Sequence, residues 1–367
     1  VVDIGQTTNS VRKAVSQAEK MADVKIDSVY AGITGKHINY LNNTGTVSIN
    51  RSDSVIRKDD VRRVIETAKA MQQIPPQSEM IHIIPRQFVV DNQEGITDPI
   101  GMTGTRLEAD VHIVTGASTA VHNLTRCLNS LDIEIEQLVL EPLASSHAVL
   151  SSAEKQLGVL LMDIGDGTTD LAVFKKGDIW FSKVLPVAGE HMTNDITVGL
   201  QTPLEVAEEI KVEHGTVFIN EENQDKRIEV STVGGDKVKQ IPIKNLAKVI
   251  EPRVEEIFNL TFQELEDAGY RDLIPSGVVL SGGTSLLNGI VEYGNRHFDI
   301  PIRRGSTPDD IHGLRDVVES PIYATSVGLL KYSVQSHDYL RNGKRTMSQG
   351  GSVISDIFSW LGKFFRS

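Results

Sequence analysis

The chain has 367 residues, 40% of them apolar and 23% charged, a balance that excludes a collagen-like or wholly disordered chain and allows two or three globular domains. Thirty-seven Lys and Arg against 49 Asp and Glu give a formal charge of −12, which argues against the broad basic face that nucleic-acid binding needs. A single cysteine, Cys127, excludes a disulfide scaffold or a CxxC metal site and fits a reducing cytoplasm.

In chain order, Asn9-Ser10 caps a helical pattern in which Val11, Ala14, Val15, Ala18, Met21 and Ala22 recur at helix spacing. Extended segments follow around Ile26–Thr34, His37–Leu41 and Thr46–Ile49. A second amphipathic helix is expected over Asp59–Met71, ended by Pro75-Pro76, then a strand over Ile81–Val90 and a loop-rich stretch over Gly95–Gly104. From Ala109 the pattern changes to a strand (Asp110–Thr115), a Ser118-capped helix to Leu131, a strand (Ile135–Leu140) and a helix (Leu143–Ala153). That alternation is expected of a parallel sheet with crossovers. Strands at Leu157–Ile164, Thr169–Lys175 and Ile179–Val187 come next, then helices near Glu190–Leu200 and Pro203–His214. Residues 215–243 are polar with short strands, and Asn245–Ala268 is a long helix. A strand at Gly277–Ser281, a Gly turn opening a helix, and a last helix near Tyr323–Val334 complete the body. Ser336–Gly350 is polar, with Gly and Ser, and is expected to be a disordered linker.

The strongest chemical motif is Asp163-Ile-Gly165-Asp166-Gly167-Thr168-Thr169-Asp170 between two apolar strands. Glycines let successive backbone N–H groups converge into a concavity that suits phosphate oxygens. Thr168 and Thr169 add hydroxyl donors, and Asp163 at the strand end is placed to hold Mg²⁺ through water. A plain Gly hairpin is the alternative. A second turn, Ser281-Gly282-Gly283-Thr284-Ser285, also follows an apolar strand and would let an adenosine approach the backbone. Together the turns point to one nucleotide held between two lobes.

The C-terminus differs from the body. From Arg341 to Ser367 five Lys and Arg face one Asp, and four aromatics fall in the last ten residues. On a helical wheel Val353, Ile354, Ile357, Phe358, Trp360, Leu361, Phe364 and Phe365 share one face, with Lys363 and Arg366 on the other. Such a helix suits a lipid interface with anionic headgroups, weakly as one copy and firmly as many on one polymer. The alternative is a helix that folds back on the core.

Other readings fail. Gly32-Ile-Thr-Gly35-Lys36-His37 lacks the spacing and the Ser or Thr of a P-loop, and ten His form no HExxH pair. Cys127 falls on the apolar side of its helix, as a core residue. Val1-Val2-Asp3-Ile4-Gly5-Gln6-Thr7-Thr8 imitates a phosphate hairpin but leads into a helix, where a hairpin needs a returning strand. No run approaches the roughly 18 apolar residues of a membrane span, no signal peptide is recognisable, and without an initiator Met the natural chain is expected to begin earlier.

With both turns and the tail in view, the chain resembles FtsA, the actin-like bacterial cell-division family, over nearly its whole length. Ala18-Glu-Lys-Met-Ala22, Ser28-Val-Tyr-Ala-Gly-Ile-Thr-Gly-Lys-His37, Ile84-Pro-Arg-Gln-Phe88 and Gln93-Glu-Gly-Ile96 with Asp98-Pro-Ile-Gly101 are similar to the family's distinctive extra subdomain. Residues 163–170 resemble the superfamily's second phosphate motif and 277–285 its adenosine motif. Glu141-Pro-Leu-Ala-Ser-Ser146 and Ser320-Pro-Ile-Tyr-Ala-Thr-Ser-Val-Gly328 resemble its two connecting helices. The resemblance implies an α/β, two-lobed actin-like ATPase fold with an inserted α+β subdomain and with N-terminal strands missing, since the first phosphate motif would precede Val1.

By the same resemblance, residues 1–25 are a remnant of the first subdomain, 26–108 the SHS2-like insert and 109–156 the first subdomain continued. Residues 157–200 and 273–335 would form the second-lobe core, 201–272 its outer subdomain, 336–351 a flexible linker and 352–367 a membrane-targeting helix. Gly165, Asp166, Gly167, Thr168 and Thr169 would hold the phosphates of ATP, and Asp163 its Mg²⁺. Glu208, Lys211, Gly282, Gly283 and Thr284 would line the adenosine side, and Glu141 would orient water if hydrolysis occurs. Arg253, in Ile250-Glu-Pro-Arg253, would contact the C-terminal tail of FtsZ, the tubulin-like ring protein. Asp166 departs from the superfamily's usual Gly, and a carboxylate there either repels phosphates or helps hold Mg²⁺.

The implied function is mechanical. The chain would bind ATP, assemble into filaments and tether FtsZ polymers at the division site on the cytoplasmic face of the membrane. It would also help to recruit later division proteins, with ATP as switch more than fuel and no nucleic-acid partner. Ile354, Ile357, Phe358, Trp360, Leu361, Lys363, Phe364, Phe365 and Arg366 would form the membrane contact. The alternatives are a small-molecule kinase of the same superfamily and a soluble scaffold of the pilus-assembly type.

Overall fold

The computed structural model describes residues 3–71, 74–221, 223–232, 238–307 and 318–342, with side chains through 335. At its start, the Asp3 carboxylate accepts the Gln6 N–H at 2.8 Å and caps helix α1, Ile4–Ala22. The expected cap at Asn9-Ser10 is therefore two turns late, and Gly5 to Thr8 are helical, not a phosphate hairpin. Helix α1 packs on α3, Ser118–Asn129. Ser118 starts α3 but Ala117 holds the cap position, without a side-chain bond. Cys127 on α3 is fully buried, as its place on the apolar face implies.

Strand β1, Ser28–Ile33, pairs in parallel with β6, Glu134–Leu140. Between them in sequence lies a four-stranded antiparallel sheet. Its order is β2 (Asn39–Ser48), β5 (Arg106–Ala117), β3 (Ser78–Val90) and β4 (Gln93–Ile96), packed against α2, Lys58–Ala70. The expected extended pieces at 37–41 and 46–49 are thus one strand. The expected alternation of 110–115 with 135–140 in one parallel sheet does not occur, because β5 belongs to the insert's sheet and β6 to β1. An insert edge at 108 accordingly falls inside β5. Helix α2 lies so close to β2 that a Cβ at Gly45 would contact the Val64 carbonyl oxygen and lie 2.6 Å from the Ala68 nitrogen. Beneath them Ile65, Phe88, Leu107, Val111 and Ile113 form a dry core.

Among the described residues, those up to Ala144, Asp178–Trp180 and 328–342 form one compact unit, and Ser145–Gly177 with Phe181–Val327 form the other. The second is built on a five-stranded sheet. Its order is β13 (Ile302–Arg304), β12 (Val278–Ser281), β7 (Val159–Ile164), β8 (Thr169–Lys175) and β9 (Asp178–Leu185). Strands β7 and β8 are buried at nearly every position, as their unbroken apolar runs imply. Around the sheet lie α6 (Gly189–Leu200), α7 (Leu204–His214), α8 (Ile243–Asp267) and α9 (Ile290–His297), with a hairpin of β10 (Arg227–Ser231) and β11 (Val238–Pro242). Phe258, Phe262 and Phe298 stack into one aromatic cluster.

Three further differences have local causes. The expected helix 143–153 is split into α4, Glu141–Val149, and α5, Ser152–Leu157. The split follows from a capping box in which Ser151 and Glu154 exchange side-chain and backbone bonds. The second Gly turn opens a single 3-10 turn, Gly283–Leu286, before α9 begins. The last helix, α10, runs Ala324–Asn342, so the first seven residues of the expected linker, 336–342, are helical. Residues 343–351 of that linker, and the amphipathic segment 352–367 with all its expected membrane contacts, lie outside the described residues. No helix among the described residues is long and apolar enough to cross a membrane.

Two buried histidines make the first unit pH-sensitive. His82 Nε2 accepts the Leu140 N–H at 3.0 Å, a role only the unprotonated nitrogen can play, and His112 Nδ1 lies 2.7 Å from Asn42 Oδ1. Burial pushes His82 down to about 4 and His112 to about 3. Their neutral forms stabilise the fold fully above pH 6.5, and that stability is lost as pH falls, because only the unfolded chain takes up the protons. Urea unfolding between pH 7 and 4.5 is expected to show a loss of up to about 1.4 kcal/mol per pH unit for each histidine below 6.5. His82→Gln is expected to flatten the slope.

Candidate functional site

The site starts from a register. Strands β7 and β12 are parallel neighbours, with Val278 opposite Leu160 and Ser281 opposite Asp163. Their carboxyl ends therefore meet, and the two Gly turns, more than 100 residues apart in sequence, leave the sheet side by side. Carboxyl ends of parallel strands are where open α/β sheets bind ligands. Gly282 takes φ +79°, and a Cβ there would contact the Ile164 carbonyl and lie 2.6 Å from Asp163 Oδ1. Only glycine permits both the conformation and the approach.

The first turn is braced from behind. Gly165 N–H donates to the Thr168 carbonyl at 3.0 Å. The Gly165 carbonyl accepts from Thr284 Oγ1 at 2.9 Å and from Gly189 N–H at 3.1 Å, and the Asp166 carbonyl accepts from Glu190 N–H at 2.7 Å. The carbonyls are thus tied inward, to the second turn and to the start of α6. The N–H groups of Asp166, Gly167 and Thr168 make no hydrogen bond among the described residues, and Asp166 and Gly167 are exposed. Unpartnered N–H groups on an exposed turn are available to an anion. Thr169 does not contribute as expected, because its buried hydroxyl donates to the Val187 carbonyl at 2.7 Å. The Thr168 hydroxyl donates to Asp170 Oδ2 at 3.0 Å.

Beside the turns opens a cavity of about 460 Å³. Gly165, Asp166, Glu208, Lys211, Gly283 and Thr284 line it together, although the sequence spreads them over three segments. Lys211 Nζ reaches Glu208 Oε2 at 2.7 Å, Thr193 Oγ1 at 2.8 Å and the Gly189 carbonyl at 3.2 Å, so all three of its protons have acceptors. Thr193 also donates to Glu208 Oε2 at 2.5 Å. Partial burial pushes the Glu208 carboxyl up, but the bonds and charge of Lys211 and the Thr193 bond outweigh it and hold the group below its usual range. Glu208 Oε1 makes no hydrogen bond among the described residues and remains an acceptor for a ligand hydroxyl.

Sequence reasoning missed the apolar walls, Met192, Val212, Leu287 and Ile322. It also missed Gly215 and Asn288, whose backbones join the end of α7 to the segment after the second turn. Apolar residues on helices carry no ligand signature in a sequence. Gly215 leaves one, as the glycine that ends α7, and a Cβ there would come within 2.7 Å of Leu287 Cδ1.

The remaining expected site residues lie elsewhere. Asp163 is buried and does not line the cavity; its Oδ2 accepts the Ser145 hydroxyl at 2.6 Å. Burial pushes its carboxyl up, partly offset by bonds from Ser145 and Thr325. Arg253 on α8 clasps Asp195 of α6 through two bonds of 2.8 and 3.0 Å and also pairs with Glu256. Glu141 belongs to the first unit, where its side chain covers Gly32, whose Cβ would stand 3.1 Å from Glu141 Cγ.

Known proteins match both halves of this architecture. The family described as "Cell division protein FtsA" matches residues 160–328, and the "SHS2 domain inserted in FTSA" matches residues 35–115. The chain is 42% identical to the cell division protein FtsA of Pseudomonas aeruginosa over 97% of its own length and 84% of the relative's. With the Escherichia coli K12 protein of the same name it shares 37% identity over 100% of its length and 88% of the relative's. The chain belongs to the FtsA family. Family membership sets aside the kinase and the pilus-type scaffold as family assignments, and the SHS2 match spans the sheet of β2 to β5. Among solved structures, a PilM-PilN type IV pilus biogenesis complex aligns with TM-score 0.61 and 17% identity over 88% of this chain and 85% of the other. MreB5 of Spiroplasma citri, bound to ADP, aligns with TM-score 0.52 and 20% identity over 62% and 68%. These establish the actin-like fold expected from the FtsA resemblance.

The Gly282 contact makes a stability prediction. Gly282→Ala is expected to cost roughly 1–3 kcal/mol from overpacking, with a further penalty of about 1 kcal/mol or more for the positive φ. Urea unfolding of the single variant measures it, and an unchanged midpoint would show that the two turns do not press together.

Proposed function

We propose that this protein binds ATP with Mg²⁺ in the cavity of its second unit, assembles into actin-like filaments and tethers FtsZ polymers to the cytoplasmic membrane at the division site. The observation that carries the nucleotide reading is the pair of Gly turns beside one cavity, with free N–H groups on the first turn. Support comes from the MreB5 structures of the same fold, described as bound to ADP and to AMPPNP. The N–H groups of residues 166–168 receive phosphate oxygens, Glu208 Oε1 accepts a sugar hydroxyl, and Gly283 and Thr284 let the nucleoside lie against the backbone. ATP with Mg²⁺ supplies anionic oxygens and a neutralising cation at the first turn. Asp163 does not line the cavity, so it would reach a cation bound with the nucleotide only through water, as hydrated Mg²⁺ allows. Asp166, exposed on the turn, then faces that cation. The nucleotide acts as switch more than fuel.

The tethering reading rests on family membership and on the amphipathic face of residues 352–367. Recruitment of later division proteins follows from the family role alone, and Arg253 is the contact for the C-terminal tail of FtsZ.

Isothermal titration of the full-length protein with ATP is expected to show one site per chain, and no binding with or without Mg²⁺ overturns the nucleotide reading. Flotation with anionic liposomes separates the second claim. The whole chain is expected to float and to be released by salt, whereas a chain ending at Gly351 stays behind. If neither floats even as polymer, residues 352–367 are no anchor.

A further inference from the structure

Asp163 is a buried carboxylate with no Lys or Arg bonded to it among the described residues. Burial of an uncompensated charge is costly, and here only hydroxyls offset it. Ser145 Oγ, from α4, donates to Asp163 Oδ2 at 2.6 Å. Thr325 Oγ1, from α10, lies 2.9 Å from Ser145 Oγ and so braces the hydroxyl that holds the carboxyl. The other oxygen, Oδ1, faces Gly282, 2.6 Å from where a Cβ would stand. On the neighbouring strand Ser281 is in register with Asp163, so both side chains leave the same face of the sheet. Its hydroxyl is fully buried and has no partner among the described residues. One oxygen of the carboxylate is therefore held by the Ser145 hydroxyl, itself braced by Thr325, while the unpartnered hydroxyl of Ser281 lies on the neighbouring strand. A hydrated cation arriving with a nucleotide would relieve both deficits, since its charge answers the carboxylate and its water answers Ser281.

We propose that Ser145 and Thr325 are positioning residues that hold the Asp163 carboxylate for hydrated Mg²⁺, and that Ser281 supplies a second oxygen to the same hydration shell. The proposal rests on the ATP reading given above. It assigns to the two helices at which the chain leaves the second unit, near Ser145 and Val327, a direct hold on the cation-bearing carboxylate.

The test is the Mg²⁺ dependence of ATP affinity in the full-length protein, measured with Mg²⁺ and with EDTA. Thr325→Val, Ser145→Ala and Ser281→Ala are each expected to shrink the gain from Mg²⁺ by about tenfold, as loss of outer-shell partners does elsewhere. Affinity in EDTA is expected to stay within about twofold, and Thr325→Ser to restore the gain. Ser281→Ala guards against misfolding, because its hydroxyl bonds nothing among the described residues and its loss is expected to leave the unfolding midpoint in place. If affinity falls equally with and without Mg²⁺, the hydroxyls serve the fold and the proposal fails. If the gain is unchanged in all three variants, the proposal also fails while the ATP reading stands. No ATP binding by the unsubstituted protein removes both.

Discussion

The parallel pairing of β7 with β12 is the constraint on which the site depends. It brings the ends of two distant strands together, and the absence of a side chain at Gly282 lets the second turn press on Ile164 and Asp163. Because sheet register is set by the buried apolar faces of both strands, a slip of either strand by one residue would turn its own residue, Asp163 or Ser281, to the opposite face. The core of the second unit therefore fixes the position of the turns before any ligand is present.

Around this junction the polar groups are arranged so that side chains brace the backbone and the backbone faces outward. Thr284 and the start of α6 hold the carbonyls of the first turn, while the N–H groups of residues 166–168 are left over. Lys211 is spent on Glu208, Thr193 and Gly189, so its charge orders the wall of the cavity and is not an open phosphate contact. This is preorganisation. The rotamers that a ligand would otherwise have to order are already fixed, and the cost of ordering is met in folding.

Features carried by local chemistry were legible in the sequence. The two apolar runs ending in Gly-rich turns marked β7 and β12, and the helical period after Ser10 was enough to reject the decoy at Gly5 to Thr8. The resemblance to FtsA supplied the overall fold. Features carried by distant pairing were not legible. Nothing in Ser28–Ile33 shows that its partner is Glu134–Leu140, and the length of β5 follows from its neighbours β2 and β3, not from its own alternation. The same limit applies to side-chain commitments. Thr169 and Arg253 carry the residue types a site needs, yet their partners, Val187 and Asp195, lie 18 and 58 residues away.

Arg253 shows what such a commitment implies for the tail contact proposed above. Its guanidinium is already held by a carboxylate in bidentate geometry, and a second carboxylate, Glu256, pairs with it. Together these leave little unmet charge, and the side chain is only 24% exposed. An incoming acidic peptide would have to replace Asp195 or share the guanidinium, and exchanging one carboxylate for another yields little net free energy. If an acidic tail binds there, its affinity must then come from apolar contact near the clasp, with the ion pair setting register and selectivity. One turn beyond Asp195 on α6, Val198 is 78% exposed and offers such a surface. On this chemistry an acidic tail that also carries apolar residues fits the clasp, and a purely acidic one does not.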